Sequence, residues 1–200
     1  MRTVDRSTAG AGAWSRLAAL LALLVAACSI FLAPPARATE TTTTGLDNTW
    51  ACTVPTGYTF DQVLSQVNTC GTSGFANSYH LRTPSNGLWA CTLPTGFTFD
   101  QVLNQVNTCS TSGFANTYHL RTPSSGLWAC TLPDGFTFDQ VLSQVNTCST
   151  SGFANTYHLR TPSNGLWACT VPAGFTFDQV LSQVNTCSTS GFANTYHLRG

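Results

Sequence analysis

The 200-residue sequence contains little charge and no lysine. Charged residues make up 8% of the chain, and all eight of its basic residues are arginine. From residue 39 onward, four arginines face seven acidic residues, which gives a net charge of −3. Nucleic-acid binding depends on many basic side chains that release counterions from the phosphates. A weakly acidic, lysine-free surface therefore argues against a nucleic-acid-binding protein.

Long apolar runs are also scarce. The longest, Leu17–Ala33, falls short of the ~20 residues that a membrane-spanning helix needs. Three arginines precede this run, and Ala36-Arg37-Ala38 follows it with small residues at the two positions that a signal peptidase reads. We therefore predict that residues 1–38 are an export signal of the bacterial type, cleaved after Ala38. The processed chain would be secreted, without a membrane span.

A second interpretation of this segment is a lipoprotein signal. Val25-Ala26-Ala27-Cys28 resembles a lipobox, in which Cys28 would carry a lipid anchor. Ser29–Leu32 continues the apolar run beyond the cysteine, however, where a lipoprotein usually becomes polar. This continuation favours ordinary secretion.

The sequence after the signal consists of four copies of one unit. A tryptophan recurs every 39 residues, and the residues between recur with it, which is typical of a repeat architecture. Residues 39–48 form a Thr-rich linker before the first copy. We place repeat 1 at residues 49–87, repeat 2 at 88–126, repeat 3 at 127–165 and repeat 4 at 166–200.

The cysteines indicate a disulfide framework. Nine are present, and removal of the signal leaves eight, an even number in an exported chain. Equivalent environments should form equivalent bonds, and a bond within each copy satisfies all four copies. A bond shifted to the next copy would leave one cysteine unpaired at each end. We therefore predict the pairs Cys52–Cys70, Cys91–Cys109, Cys130–Cys148 and Cys169–Cys187.

Local patterns predict a strand, a helix and a second strand in each repeat. In repeat 2, Leu88–Leu93 is a candidate strand, and Thr98-Phe99-Asp100-Gln101 resembles a helix capping box. The apolar residues then follow one another at i, i+3, i+4 and i+7 from Phe99 to Val106, as on one helix face. Asp100 would lie in the first turn, where a negative charge favours the helix dipole. The second strand is Tyr118–Arg121.

A five-residue turn, Thr122–Gly126, separates this strand from the next repeat and predicts a hairpin across the repeat boundary. Its register would pair Leu120 with Trp128 and place tryptophan and cysteine inward, with histidine and arginine outward. The predicted fold class is α+β: four disulfide-stapled strand–helix–strand repeats joined by hairpins. The first and last strands would then lack partners. We expect them to pair and close a ring; otherwise they are exposed edges that invite pairing between molecules.

Catalysis and metal binding are not expected from these motifs. Each copy contains Ser, His, Asp and Cys, but the cysteines form oxidisable pairs, helix capping explains the aspartate, and no nucleophile elbow is visible. Each histidine lacks a second metal ligand two to four residues away. We therefore predict neither an enzyme nor a cofactor or metal site.

The outward histidines and arginines are the predicted binding residues. They would form one donor-rich patch per copy, suited to hydroxyls or carboxylates, and many weak sites on one polymer gain avidity. We therefore expect a multivalent binding protein for a glycan or cell-surface polymer. A protease inhibitor acting through the braced turns, or a purely structural or adhesive repeat protein, are the alternatives. The candidate residues are His80, Arg82, His119, Arg121, His158, Arg160, His197 and Arg199.

Overall fold

The computed structural model describes residues 45–200, apart from the side chain of Val145. These residues form twelve β-strands and no helix, so the predicted α+β class is wrong and the repeats are all-β. The predicted signal at 1–38, the anchor at Cys28 and most of the linker lie outside the described residues. The strands are β1 Thr49–Ala51, β2 Thr59–Val67, β3 Phe75–Arg82, β4 Trp89–Ala90, β5 Thr98–Val106, β6 Phe114–Arg121, β7 Trp128–Ala129, β8 Thr137–Val145, β9 Phe153–Arg160, β10 Trp167–Ala168, β11 Thr176–Val184 and β12 Phe192–Arg199.

Each repeat forms its own three-stranded antiparallel sheet. In repeat 1 the strand order is β1-β3-β2, and the other three repeats have the same arrangement. The two long strands form a hairpin within the repeat, and the short strand pairs with the opposite edge of the second long strand. The second long strand is therefore the central strand of every sheet.

The predicted hairpin across the repeat boundary is wrong. Trp128 pairs with His158 of its own repeat and not with Leu120 of the preceding one. The chain has already entered the next sheet before β7 begins, because the amide of Gly126 donates to the carbonyl of Leu159 at 2.7 Å. Gly126 has a φ of 89°, which suits glycine, so the five-residue segment connects two sheets.

The predicted ring closure through the terminal strands is also wrong. The strand β1 pairs with β3, and β12 lies between β10 and β11. Both terminal strands thus find partners inside their own repeats, and neither is left to pair with the other.

The segment predicted to be a helix is a bulged strand. In β5 the pairing register shifts between Phe99 and Gln101, so Asp100 is an additional residue in the ladder. A bulge lets residues three apart lie on one face of a strand. Phe99 and Val102, which pair opposite Leu120 and Tyr118, do so here. The spacing of three that suggests a helix therefore arises from the bulge.

The buried interior of each sheet centres on a leucine of the central strand. Leu81, Leu120, Leu159 and Leu198 are fully buried in all four repeats, including the last. The short strands contribute alanines that are equally buried: Ala90, Ala129 and Ala168. The leucine is therefore buried within its own repeat, whereas the equivalent alanine of repeat 1, Ala51, is only partly buried.

The remaining core lies at the junctions between repeats. At the first junction the Val63 amide donates to the Thr108 carbonyl at 2.9 Å, and the Cys91 amide donates to the Phe60 carbonyl at 2.8 Å. The same pair of bonds recurs at the second and third junctions. At the third junction Phe138 and Val141 pack against the disulfide of the following repeat, formed by Cys169 and Cys187. Each repeat thus covers the first long strand of the repeat before it.

The four predicted disulfides are confirmed. Each joins cysteines 18 residues apart in sequence whose Cα atoms are 5.2 Å apart. The bond links the end of the short strand to the loop after the first long strand, and not to a helix end as predicted. Four disulfides indicate that the protein is stable in an oxidising environment.

Candidate functional site

Each repeat brings an aspartate, a histidine and an arginine together at its bulge. In repeat 2, Nδ1 of His119 lies 2.6 Å from Oδ1 of Asp100, and Nη1 of Arg121 donates to Oδ2 of the same carboxylate at 2.9 Å. The bulge places the aspartate side chain against the neighbouring strand, where the histidine and arginine are two residues apart. We call these clusters the Asp–His–Arg triplets: Asp61/His80/Arg82, Asp100/His119/Arg121, Asp139/His158/Arg160 and Asp178/His197/Arg199.

The triplet fixes which nitrogen of the histidine ring always carries a proton. An ionised carboxylate only accepts hydrogen bonds, so the Nδ1 atom must carry the proton that it shares with the aspartate. The Nε2 atom is then an acceptor when the ring is neutral and a donor when it is protonated. In repeat 4 the hydrogen bonds from His197 and Arg199 hold the pKa of Asp178 below its ordinary value.

A tryptophan ring lies against each histidine. Trp89 is paired with His119 in the sheet, and their ring centroids are 4.8 Å apart. The other three repeats have the same contact at 4.9 to 5.1 Å. Trp50 is 45% exposed, and no tryptophan of the described repeats is fully buried. The prediction that tryptophan faces inward is therefore wrong, because it shares a face with histidine and not with the buried leucine.

Two of the triplets, those of repeats 1 and 3, line grooves between successive repeats. The groove between repeats 1 and 2 encloses about 460 Å³ and is lined by the first triplet together with Trp89, Gln105 and Thr108 of the next repeat. The groove between repeats 3 and 4 encloses about 390 Å³ and is lined by Asp139, His158, Trp167, Gln183 and Thr186 among others. Each of these two grooves therefore combines the aspartate and histidine of one repeat with the tryptophan of the following repeat.

The sequence-based site residues all belong to the triplets, but two partners were missed. The aspartate was assigned to helix capping, and the tryptophan to the core. One signal was present in the sequence: the aspartate precedes the histidine by 19 residues and the arginine by 21 in every copy. An aspartate that recurs at a fixed distance before a histidine and an arginine favours an ion-paired cluster. The contact itself depends on the bulge, which the sequence did not reveal.

A second recurring feature is apolar. At the end of each hairpin a phenylalanine is 70 to 75% exposed, and Val67, Val106 and Val184 beside three of them are about half exposed. This phenylalanine row consists of Phe75, Phe114, Phe153 and Phe192. Large exposed aromatics at equivalent positions are unusual on a monomeric surface.

The inter-repeat turn, on which the inhibitor interpretation depends, is held by a side-chain bond. The Asn86 Oδ1 atom accepts a hydrogen bond from the Thr122 amide of the next repeat at 3.1 Å. Before the first repeat, Asp47 of the linker takes the equivalent position and accepts from the Thr83 amide, which lowers the pKa of Asp47. A side-chain hydrogen bond thus joins the turn before a repeat to the turn after it.

The described residues contain no group of three or more His, Cys, Asp or Glu side chains arranged to hold a metal ion. Within residues 45–200 there is also no helix that is long and apolar enough to cross a membrane. Comparison with protein-family models, with curated proteins and with solved structures gave no match.

Proposed function

We propose that this protein is an exported, non-enzymatic binding protein that recognises a glycan or cell-surface polymer through the grooves between its repeats. The observation that carries the proposal is the composition of the groove, in which an accessible tryptophan lies beside a triplet and the amide and hydroxyl groups of Gln105 and Thr108. Binding sites commonly combine an aromatic surface with a few oriented polar groups.

The chemistry of the groove suits a sugar ring. The indole presents a flat apolar surface against which the C–H face of a pyranose can pack. The triplet supplies both acceptors and donors for hydroxyl groups, because the carboxylate accepts and the guanidinium donates. The triplet is already held together by hydrogen bonds, so ordering it on binding costs little conformational entropy.

Repetition supports a polymeric ligand. Grooves of matching composition lie at the first and third junctions, and one polymer can occupy both of them at once. Linked weak sites gain avidity without any single site being tight. A small, single ligand would gain nothing from this arrangement.

The experiment is a glycan array followed by a pull-down with the polysaccharide it identifies. Joint replacement of Trp89, Trp128 and Trp167 by alanine should weaken binding by about tenfold or more, since Trp89 and Trp167 line the two grooves and Trp128 is their equivalent in repeat 3. Joint replacement of His80, His119, His158 and His197 by alanine should also weaken it while the disulfides remain formed.

The matched control changes the phenylalanine row to serine, which leaves the grooves intact and should leave glycan binding unchanged. The proposal fails if no glycan is bound, or if the tryptophan variant binds as well as the unchanged chain.

Export is tested separately by mass spectrometry. The mass of the exported protein should correspond to a chain that begins at Thr39.

The phenylalanine row favours a second candidate, an adhesive protein that attaches to apolar surfaces. Four exposed rings at equivalent positions could contact such a surface together. In this case adsorption to apolar beads should fall strongly in the variant with Phe75, Phe114, Phe153 and Phe192 replaced by serine. The tryptophan variant should adsorb normally, which separates the two candidates.

A further inference from the structure

The face of β11 is exposed, whereas the equivalent face of every earlier repeat is covered. Val63, Val102 and Val141 are 3 to 4% exposed, but Val180 is 44% exposed. Phe99 and Phe138 are 8% exposed, and Phe177 is 47% exposed. In the described part of the chain, no following repeat lies against β11. We call Thr176, Phe177 and Val180 the tail face.

Backbone groups of the tail face are unpaired as well. At each internal junction the valine amide and the phenylalanine carbonyl bond to the next repeat. Among the described residues, the amide of Val180 and the carbonyl of Phe177 have no equivalent partner. Unpaired edge groups beside apolar side chains form a template for another strand or loop.

Repeat 1 carries the groups that would cover this face. At the third junction the covering groups are the Cys169 amide, the Thr170 hydroxyl and the Thr186 carbonyl. Their equivalents in repeat 1 are Cys52, Thr53 and Thr69, all of which are exposed. We call these three residues the head face.

The residues of the head face and the tail face have the same sequence as the residues that meet at the third junction. Repeats 1 and 4 both read Cys-Thr-Val at the covering segment, where repeats 2 and 3 read Cys-Thr-Leu. The covered strand Thr137–Val145 has the same sequence as Thr176–Val184. A head face placed on a tail face would therefore repeat contacts that the chain already makes between repeats 3 and 4.

We infer that two copies of this chain associate head to tail, with the tail face of one copy against the head face of the next. The contact is heterologous, because it joins two different surfaces, and each added copy presents a new tail face. Association therefore continues into a filament in which the repeat array runs on through successive molecules. The three internal junctions supply the geometry of the contact.

The test uses the oxidised, exported chain and two blocked variants. Val180→Lys places an ammonium group at the centre of the tail face, and Thr53→Lys places one on the head face opposite Thr176. Both positions are exposed in the single chain, so thermal unfolding and the four disulfides should be unchanged. Phe192→Lys adds the same charge to repeat 4 at the phenylalanine row, which no internal junction covers, and serves as the control.

Analytical ultracentrifugation over a range of concentrations should show growing assemblies for the unchanged chain and for Phe192→Lys. Each blocked variant alone should weaken association by at least about tenfold. A mixture of the two blocked variants should stop at a one-to-one dimer, since only one head face and one tail face remain free. An unchanged chain that stays monomeric at every concentration would overturn the inference. Assembly that survives Val180→Lys, or that Phe192→Lys abolishes equally, would overturn it too.

Discussion

The carboxylate of Asp178 accepts hydrogen bonds from His197 and Arg199, and these bonds stabilise its ionised form. We expect His197→Ala to raise the pKa of Asp178 toward its ordinary value, because the histidine makes the largest contribution to the lowered pKa. A titration of the side-chain carboxyl carbon by NMR measures this pKa directly. Phe192→Ala, in the same strand, should leave it unchanged.

The direction of the pH dependence follows from the lowered pKa. Asp178 is more acidic in the folded chain than in the unfolded chain, so its hydrogen bonds contribute to stability above the ordinary aspartate pKa. That contribution disappears as the pH falls through the lowered pKa. An Asp178 pKa that does not respond to His197→Ala would show that the hydrogen bond does not form in solution.

A left-handed asparagine begins the loop after each first long strand. Asn107 has a φ of 56°, and its amide donates to the carbonyl of Gly113 at 3.2 Å to close the loop. Asparagine and glycine tolerate this conformation better than other residues. Asn107→Ala should therefore lower the free energy of unfolding by about 1 kcal/mol, and Asn107→Gly should lower it by less. Chemical denaturation compares the free energies of unfolding of the two variants. Equal losses of stability would indicate that the asparagine side chain is important and not the left-handed conformation.

The first long strands offer a matched comparison within one chain. Val102 and Val180 are equivalent residues, but the first is 4% exposed and the second 44%. Val102→Ala should lower the free energy of unfolding by about 2 kcal/mol, because it removes buried methyl groups and leaves a cavity. Val180→Ala should change it by less than about 0.5 kcal/mol. Denaturation at a concentration where the chain is monomeric measures both; similar losses would contradict the covering of β5 by repeat 3.

The same strands explain why the helix prediction failed. The residues Thr98-Phe99-Asp100-Gln101 suit a capping box, and the apolar spacing after them suits a helix face. Both patterns are local, whereas the bulge at Asp100 is imposed by pairing with β6, a strand more than a dozen residues away. The hydroxyl of Thr98, expected to cap the helix, bonds to Thr131 in the next repeat at 2.7 Å. Tertiary pairing therefore outweighed the local signal.

At the scale of the whole molecule, sequence reasoning succeeded where the repeat itself supplied the constraint. Equivalent copies require equivalent disulfides, and the pairing Cys91–Cys109 followed from that symmetry. The sequence of the repeats did not reveal which strands pair. The strand at Trp128 could pair either with Tyr118–Arg121 of the preceding repeat or with the strand that contains His158 in its own repeat. Histidine and arginine were recognised as a shared surface, but their aspartate partner required the bulge.

Stacked repeats stabilise one another chiefly through contacts between neighbours, as in other linear arrays. In this chain the contacts are the junction hydrogen bonds and the apolar side chains that each following repeat covers. A change at one junction should therefore affect the two repeats that share it more than the others. The tail face is the position at which this support is missing.

Residue-resolved hydrogen exchange at the four equivalent valines tests the stacking of the repeats most directly. The amides of Val63, Val102 and Val141 donate to the following repeat, and Val180 has no such acceptor among the described residues. In the monomeric Thr53→Lys variant, the first three amides should be strongly protected and Val180 should exchange rapidly. Equal protection at all four positions, or rapid exchange at all four, would contradict an array in which each repeat covers the one before it.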